Sequence, residues 1–234
     1  MSSDRFEELF DLGRGAILAR RVPGQVPPGD GDSRWGLTVL LRPDETAAGH
    51  MERLTKEAMA VAGAAHWPTG DAVSSHFTIR TLERHRTHIP AGDEAVERYQ
   101  AALHAASKQT GAIRLRLTGL TLTPGSVMLC ARPMDASIDR FARALADALG
   151  GDAWFEADLH RTIWYSNLVH FTEPPQGPEA LLAWVAARRR LELGVTMHTQ
   201  AELVAWKFTG RRVIPRVLAA AELQHARPAE SIRQ

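Results

Sequence analysis

Cysteine is nearly missing from this 234-residue chain, where Cys130 stands alone. One thiol closes no internal disulfide and builds no multi-cysteine zinc site, which points to a reducing compartment. Long apolar runs are missing too: stretches such as residues 58–65 are far too short to span a bilayer. Residues 1–12 carry Asp4, Glu7, Glu8 and Asp11 and lack a basic segment leading into an apolar one, so no signal peptide is expected. Charge of one sign is the third absence. Lys plus Arg total 28 and Asp plus Glu 27, a formal charge of +1, which excludes a strongly basic coat for nucleic acid but not a local basic groove. There is no Gly-rich phosphate loop and no convincing Ser-His-Asp order.

What remains suits a packed, soluble, cytoplasmic protein without an obvious metal cluster. Apolar residues make up 44% and charged residues 24% of a 25.7 kDa chain, enough for one large domain or two small lobes. Residues 22–34 hold three prolines and three glycines and read as a loop after a short N-terminal arm. In that arm, residues 4–12 suit a short helix capped by Ser2 or Ser3. Strands are expected at 35–41, 73–82, 113–121, 127–131, 163–172, 194–198 and 202–209, with 113–131 forming a hairpin around a turn at 123–126. Helices are expected at 44–62, 92–108, 139–149 and 178–193. The tail after Leu223 is polar. Each half thus repeats a rhythm of strand, helix and strand pair.

The recurring feature is His-Phe-Thr, at residues 76–78 and again at 170–172. With 10 His and 16 Thr, chance alone yields about 0.7 His-x-Thr triplets, and four are present. The triplets at His85 and His160 have arginine in the middle; only the two with Phe lie in apolar, strand-like runs. On a strand, residues two apart share a face, so each unit presents an imidazole and a hydroxyl together while Phe turns to the core. Two such units facing each other suit in-line displacement at phosphorus. One imidazole serves as base and the other as acid, and the hydroxyls donate to oxygens where negative charge develops. The set requires no metal or cofactor.

The paired motifs, HFTI at 76–79 and HFTE at 170–173, resemble those of the 2H phosphoesterase superfamily, the group of RNA 2′-5′ ligases and cyclic phosphodiesterases. The stretches SSHFTIRTL and IRLRLTGLTLTPGSVMLCA resemble that group too, and the resemblance covers roughly residues 35–215. It implies that His76 and His170 are the acid–base pair and that Thr78 and Thr172 bind phosphate oxygens. Glu173, where the group usually has an apolar residue, departs from the pattern and is followed by Pro174 and Pro175. Arg80, four residues from His76, shares its face if the strand stays regular, and there it can pair with a substrate phosphate.

The expected fold is α+β: two pseudo-symmetric lobes, each an antiparallel sheet packed by helices, around a central cleft where the two HFT strands meet. The expected domains are an arm and loop at 1–34, a two-lobed body at 35–223 (lobes 35–112 with 195–215, and 113–194), and a polar tail at 224–234. The expected function is a metal-independent phosphoesterase. It would open 2′,3′-cyclic phosphates on RNA ends or nucleotides, or join RNA 2′-5′ in reverse, with RNA or a nucleotide as partner and no membrane. The alternative is a non-catalytic phosphate, nucleotide or RNA binder on the same scaffold. His85 and His88 invite a metal reading, but no further ligand lies at suitable spacing. Lys207, Arg211, Arg212 and Arg216 form a basic segment that is either a solvated face or a track for an RNA backbone. Trp67, Trp164, Tyr165 and Trp206 are candidates for stacking on a base, although core packing is their ordinary role. Arg188–Arg190 are expected at a helix C-terminus, where cations suit the dipole.

Overall fold

A computed structural model describes residues 4–159 and 161–224. His160 and residues 225–234, most of the predicted tail, lie outside the described residues, as do Ser2 and Ser3. The chain is α+β, with five helices, α1 Arg5–Leu18, α2 Glu45–Ala62, α3 Glu94–Ser107, α4 Ser137–Leu149 and α5 Pro178–Ala186 among the described residues. Its strands are β1 Thr38–Leu41, β2 Trp67–Pro68, β3 Phe77–Thr81, β4 Ile113–Thr123, β5 Ser126–Pro133, β6 Trp164–His170, β7 Glu192–His198, β8 Gln200–Phe208 and β9 Val213–Glu222. They form two antiparallel sheets, ordered β3-β1-β8-β9 and β2-β6-β5-β4-β7.

Acidic caps start three of the helices. The carboxylates of Asp4, Asp44 and Asp93 accept from the backbone N–H of Phe6, Ala47 and Val96, two or three residues on. Each satisfies a donor that the helix cannot pair internally. On α4, Ile138, Phe141, Leu145 and Leu149 recur at helical spacing, and all four are buried. One continuous core runs between the helices and both sheets, with Leu41, Leu54, Phe77, Leu115, Phe141, Leu168 and Phe171 among its members. A smaller cluster of Leu40, Trp67, Val204, Trp206 and Val213 lies apart from it, with Trp35 and Phe208 packed against it. The alternation of β1 explains the split: Val39 and Leu41 join the large core, and Leu40 the small one.

Four differences from the sequence reading have physical causes. The first helix is longer than residues 4–12, and Asp4, not a serine, caps it. The helix expected at 178–193 stops at Ala186, because the following backbone is bonded to β4: Gly119 N–H donates to Leu191 O at 2.6 Å and Leu120 N–H to Arg188 O at 3.0 Å. Gly119 permits this approach with φ of 64° and no Cβ, which would lie 2.0 Å from Arg189 O. Arg188 and Arg189 therefore sit in a turn, where Arg188 stacks over Trp184 and reaches Glu57. The first strand begins at Thr38, not residue 35, because Trp35 has φ of 61°. Strand β9 was not anticipated: its Pro215 and three consecutive alanines disguise an edge strand, the place where a sheet tolerates proline.

Candidate active site

Two bulges aim the side chains of the site. Between β1 and β3, Val39 pairs with Arg80 and Leu40 with Thr78, so Ile79 is an extra residue. Between β5 and β6, Val127 pairs with Val169 and Met128 with Asn167, so Leu168 is extra. In a regular strand, residues three apart point to opposite faces. An inserted residue restores them to one face. Thus Thr78 and Thr81 of β3, and Asn167 and His170 of β6, all border a single cavity of about 180 Å³. Arg34, Trp35, Thr38, His76 and Trp206 complete its wall, and among the described residues no carboxylate lines it.

Both imidazoles are buried, His76 at 8% and His170 at 6% exposure. Two indoles link them, edge to face at two contacts and tilted at the third. His170 packs on Trp35 at 5.1 Å between ring centres, Trp35 on Trp206 at 5.3 Å, and Trp206 on His76 at 4.8 Å. His76 Nδ1 lies 2.7 Å from the Ser74 carbonyl. A carbonyl only accepts, so Nδ1 carries the proton and Nε2 keeps a free lone pair. His170 Nε2, by contrast, is buried and among the described residues has no partner. Trp206 Nε1 donates to the Thr38 hydroxyl at 3.2 Å, which donates in turn to the Gly36 carbonyl at 2.8 Å.

Burial dominates the electrostatics. It pushes His76 down to about 4, with the positive charge of Arg42 acting the same way and the Ser74 carbonyl opposing it. It pushes His170 down to about 3, helped by Arg34 and by His76 itself. Two neutral imidazoles flanked by guanidinium groups make a cavity that favours an anion.

His76, His170 and Thr78 are thus brought together; Thr172 and Arg80 are not. Strand β6 ends at His170, the chain turns, and the Thr172 hydroxyl donates to the Ala65 carbonyl at 3.1 Å. The loop after the arm fixes this turn: Gln25 N–H donates to Phe171 O at 2.9 Å. Gly24 packs so closely that a Cβ there would lie 2.4 Å from Thr172 O. Arg80 fails the condition of a regular strand, because the bulge at Ile79 turns it away. Its guanidinium donates to Ala153 O at 2.7 Å and lines a separate cavity of about 730 Å³ with Arg161, Glu156 and Trp154. Glu173 is exposed and does not border the imidazole cavity.

Sequence reasoning missed Arg34, Trp35, Thr38, Thr81 and Asn167. One signal was available: Asn167 is polar within the apolar run WYSNLVH, and a polar residue in a buried strand asks for a partner. Trp67, Trp164 and Trp206 are all buried, and of the four stacking candidates Trp206 borders this cavity. A third cavity, of about 540 Å³, shares Trp206 as a wall and is lined by His85, His88, Lys207, Phe208 and Arg216. The His85 ring is tied to the backbone, with Nδ1 2.9 Å from Trp35 O. Among the described residues no group of three His, Cys, Asp or Glu is placed to hold a metal ion.

By sequence, no protein-family model matches the chain, and no curated protein does. By fold, solved structures match it over most of its length. TT0787 of Thermus thermophilus is 15% identical, with a TM-score of 0.62 over 82% of this chain and 99% of its own. A phosphoesterase crystal structure, also 15% identical, covers the same shares with a TM-score of 0.54. E. coli LigT in complex with 3′-AMP is 14% identical, with a TM-score of 0.53 over 81% of this chain and 97% of LigT. The chain has the fold of these proteins, two antiparallel sheets packed by helices.

Proposed function

We propose that the protein is a 2H-type phosphoesterase that opens 2′,3′-cyclic phosphates, with His76 and His170 as its acid–base pair. One observation carries the reading: two buried imidazoles, one from each sheet region, border one small cavity that has cations beside it and no carboxylate. The fold it shares with a phosphoesterase and with LigT, which holds 3′-AMP, supports it.

In this reading His76, with Nε2 free, takes a proton from water as the water oxygen attacks phosphorus. The bond from phosphorus to one ribose oxygen breaks in line, and protonated His170 delivers a proton to that oxygen. The arriving phosphate's negative charge raises the proton affinity of His170, which is why an imidazole held near 3 when empty serves as an acid when filled. Thr78 donates to a non-bridging oxygen. When the 5′-hydroxyl of a second RNA end attacks in place of water and the bond from phosphorus to O3′ breaks, the same ring opening leaves a 2′-5′ linkage. The two imidazoles already handle both protons, so the scheme calls for no metal.

The basic groove beyond Trp206 favours an RNA end over a free nucleotide. Lys207 and Arg216 line it, and among the described residues neither has a carboxylate partner. A non-catalytic anion binder on this scaffold is the second reading, favoured by the position of Thr172 and the unpartnered His170 Nε2. An EDTA-treated assay on 2′,3′-cyclic nucleotides and cyclic-ended RNA separates the two. Turnover is expected, with His76→Ala and His170→Ala each slower by about 10²–10⁴. Binding without turnover supports the second reading, and full activity in either variant refutes the first.

A further inference from the structure

We propose that Asn167 holds a non-bridging oxygen of the bound phosphate, filling the place expected of Thr172. The inference rests on the phosphoester reading of the same cavity. Three observations carry it. The Thr172 hydroxyl is engaged by the Ala65 carbonyl and does not border the cavity. The extra residue Leu168 sets Asn167 on the face of β6 that carries His170, so its side chain borders the cavity with both imidazoles. The amide is also unsatisfied: among the described residues Oδ1, its buried end, has no hydrogen bond and Nδ2 donates to no acceptor.

Nδ2 is the end of the amide that is not sealed, and an anion in the cavity supplies the acceptor it lacks. Beside Arg34 and in a wall without carboxylates, an anion selects the NH₂ end. Phosphate oxygens then receive hydroxyls of Thr78 and Thr81 from one sheet and the Asn167 amide from the other.

The test is calorimetric titration with inorganic phosphate, together with kcat/KM on 2′,3′-cyclic AMP. The proteins are wild type, Asn167→Asp, Asn167→Ser and Thr172→Val. Asp keeps the shape of Asn, removes the N–H and adds a negative charge. Asn167→Asp is therefore expected to bind phosphate about tenfold to hundredfold more weakly, with kcat/KM falling in step. Asn167→Ser, which keeps a donor, loses less, and Thr172→Val keeps wild-type phosphate affinity. Equal affinity in Asn167→Asp and wild type, or an equal loss in Thr172→Val, overturns the inference while cyclic-ester opening by wild type leaves the phosphoester reading standing. A wild-type protein that neither binds phosphate nor opens the ester overturns both. Should circular dichroism show Asn167→Asp unfolded, Asn167→Ser decides: phosphate affinity equal to wild type, with Thr172→Val impaired, overturns the inference.

Discussion

Acid should unfold this protein through the same imidazoles that form its candidate site. The folded-state values of about 4 for His76 and about 3 for His170 lie below the ordinary 6.5. Between pH 6.5 and 4 the unfolded chain binds protons that the folded chain refuses. Stability from this source is therefore complete above pH 6.5 and drains away as pH falls through the window. At pH 5 each histidine accounts for about 2 kcal/mol, so the pair removes about 4 kcal/mol relative to pH 7.5. His198, buried and pushed down to about 4, adds a similar amount. Against a usual total of about 5–15 kcal/mol, that is a large share. The assay is urea unfolding at pH 7.5, 6.0 and 5.0 for wild type and for His76→Gln with His170→Gln. The double variant should lose markedly less stability between pH 7.5 and 5.0 than wild type does. An equal loss in both proteins, or a wild-type loss below about 1 kcal/mol, would refute the reasoning.

Three other outcomes are expected. Lys207→Ala with Arg216→Ala should weaken binding of cyclic-ended RNA and lower the slope of log affinity against log salt by about 1.4, while leaving a cyclic mononucleotide almost untouched; an unchanged slope removes the RNA groove. Gly24→Ala should lower the melting temperature, because its Cβ would meet Thr172 O at 2.4 Å; wild-type melting would mean that the loop yields there without cost. Phe141→Ala, at a fully buried core position, should cost about 3–5 kcal/mol in urea unfolding, and a loss under about 1 kcal/mol would show that α4 is not held by its apolar face.

Some of this architecture was legible because local chemistry decides it. Asp44 and Asp93 each precede an apolar-periodic run, and a carboxylate there caps a helix whatever the rest of the chain does. The hairpin of β4 and β5 follows from alternation around a Pro-Gly turn. The likeness of the two HFT units singled out His76 and His170, and an imidazole two residues from a hydroxyl was a sound reason to look for one shared cavity.

The other decisions belong to the tertiary structure, because strand pairing is a relation between distant segments. Alternation alone put Thr172 beside His170 and Arg80 beside His76. Strand β6 stopped at His170, which took Thr172 out of the pattern; the pairing of β1 with β3 and of β5 with β6 inserted Ile79 and Leu168 as extra residues and changed the facing of Arg80 and Asn167. Arg80 went to another cavity, and Asn167 came to this one. Likewise the helix at 178–193 ended early because β4 offered Gly119 to the backbone of Leu191, a partner more than 70 residues away in the chain. Residue type and period set what each segment can present; the register of its neighbours sets which side it presents, and only the folded sheets contain that register.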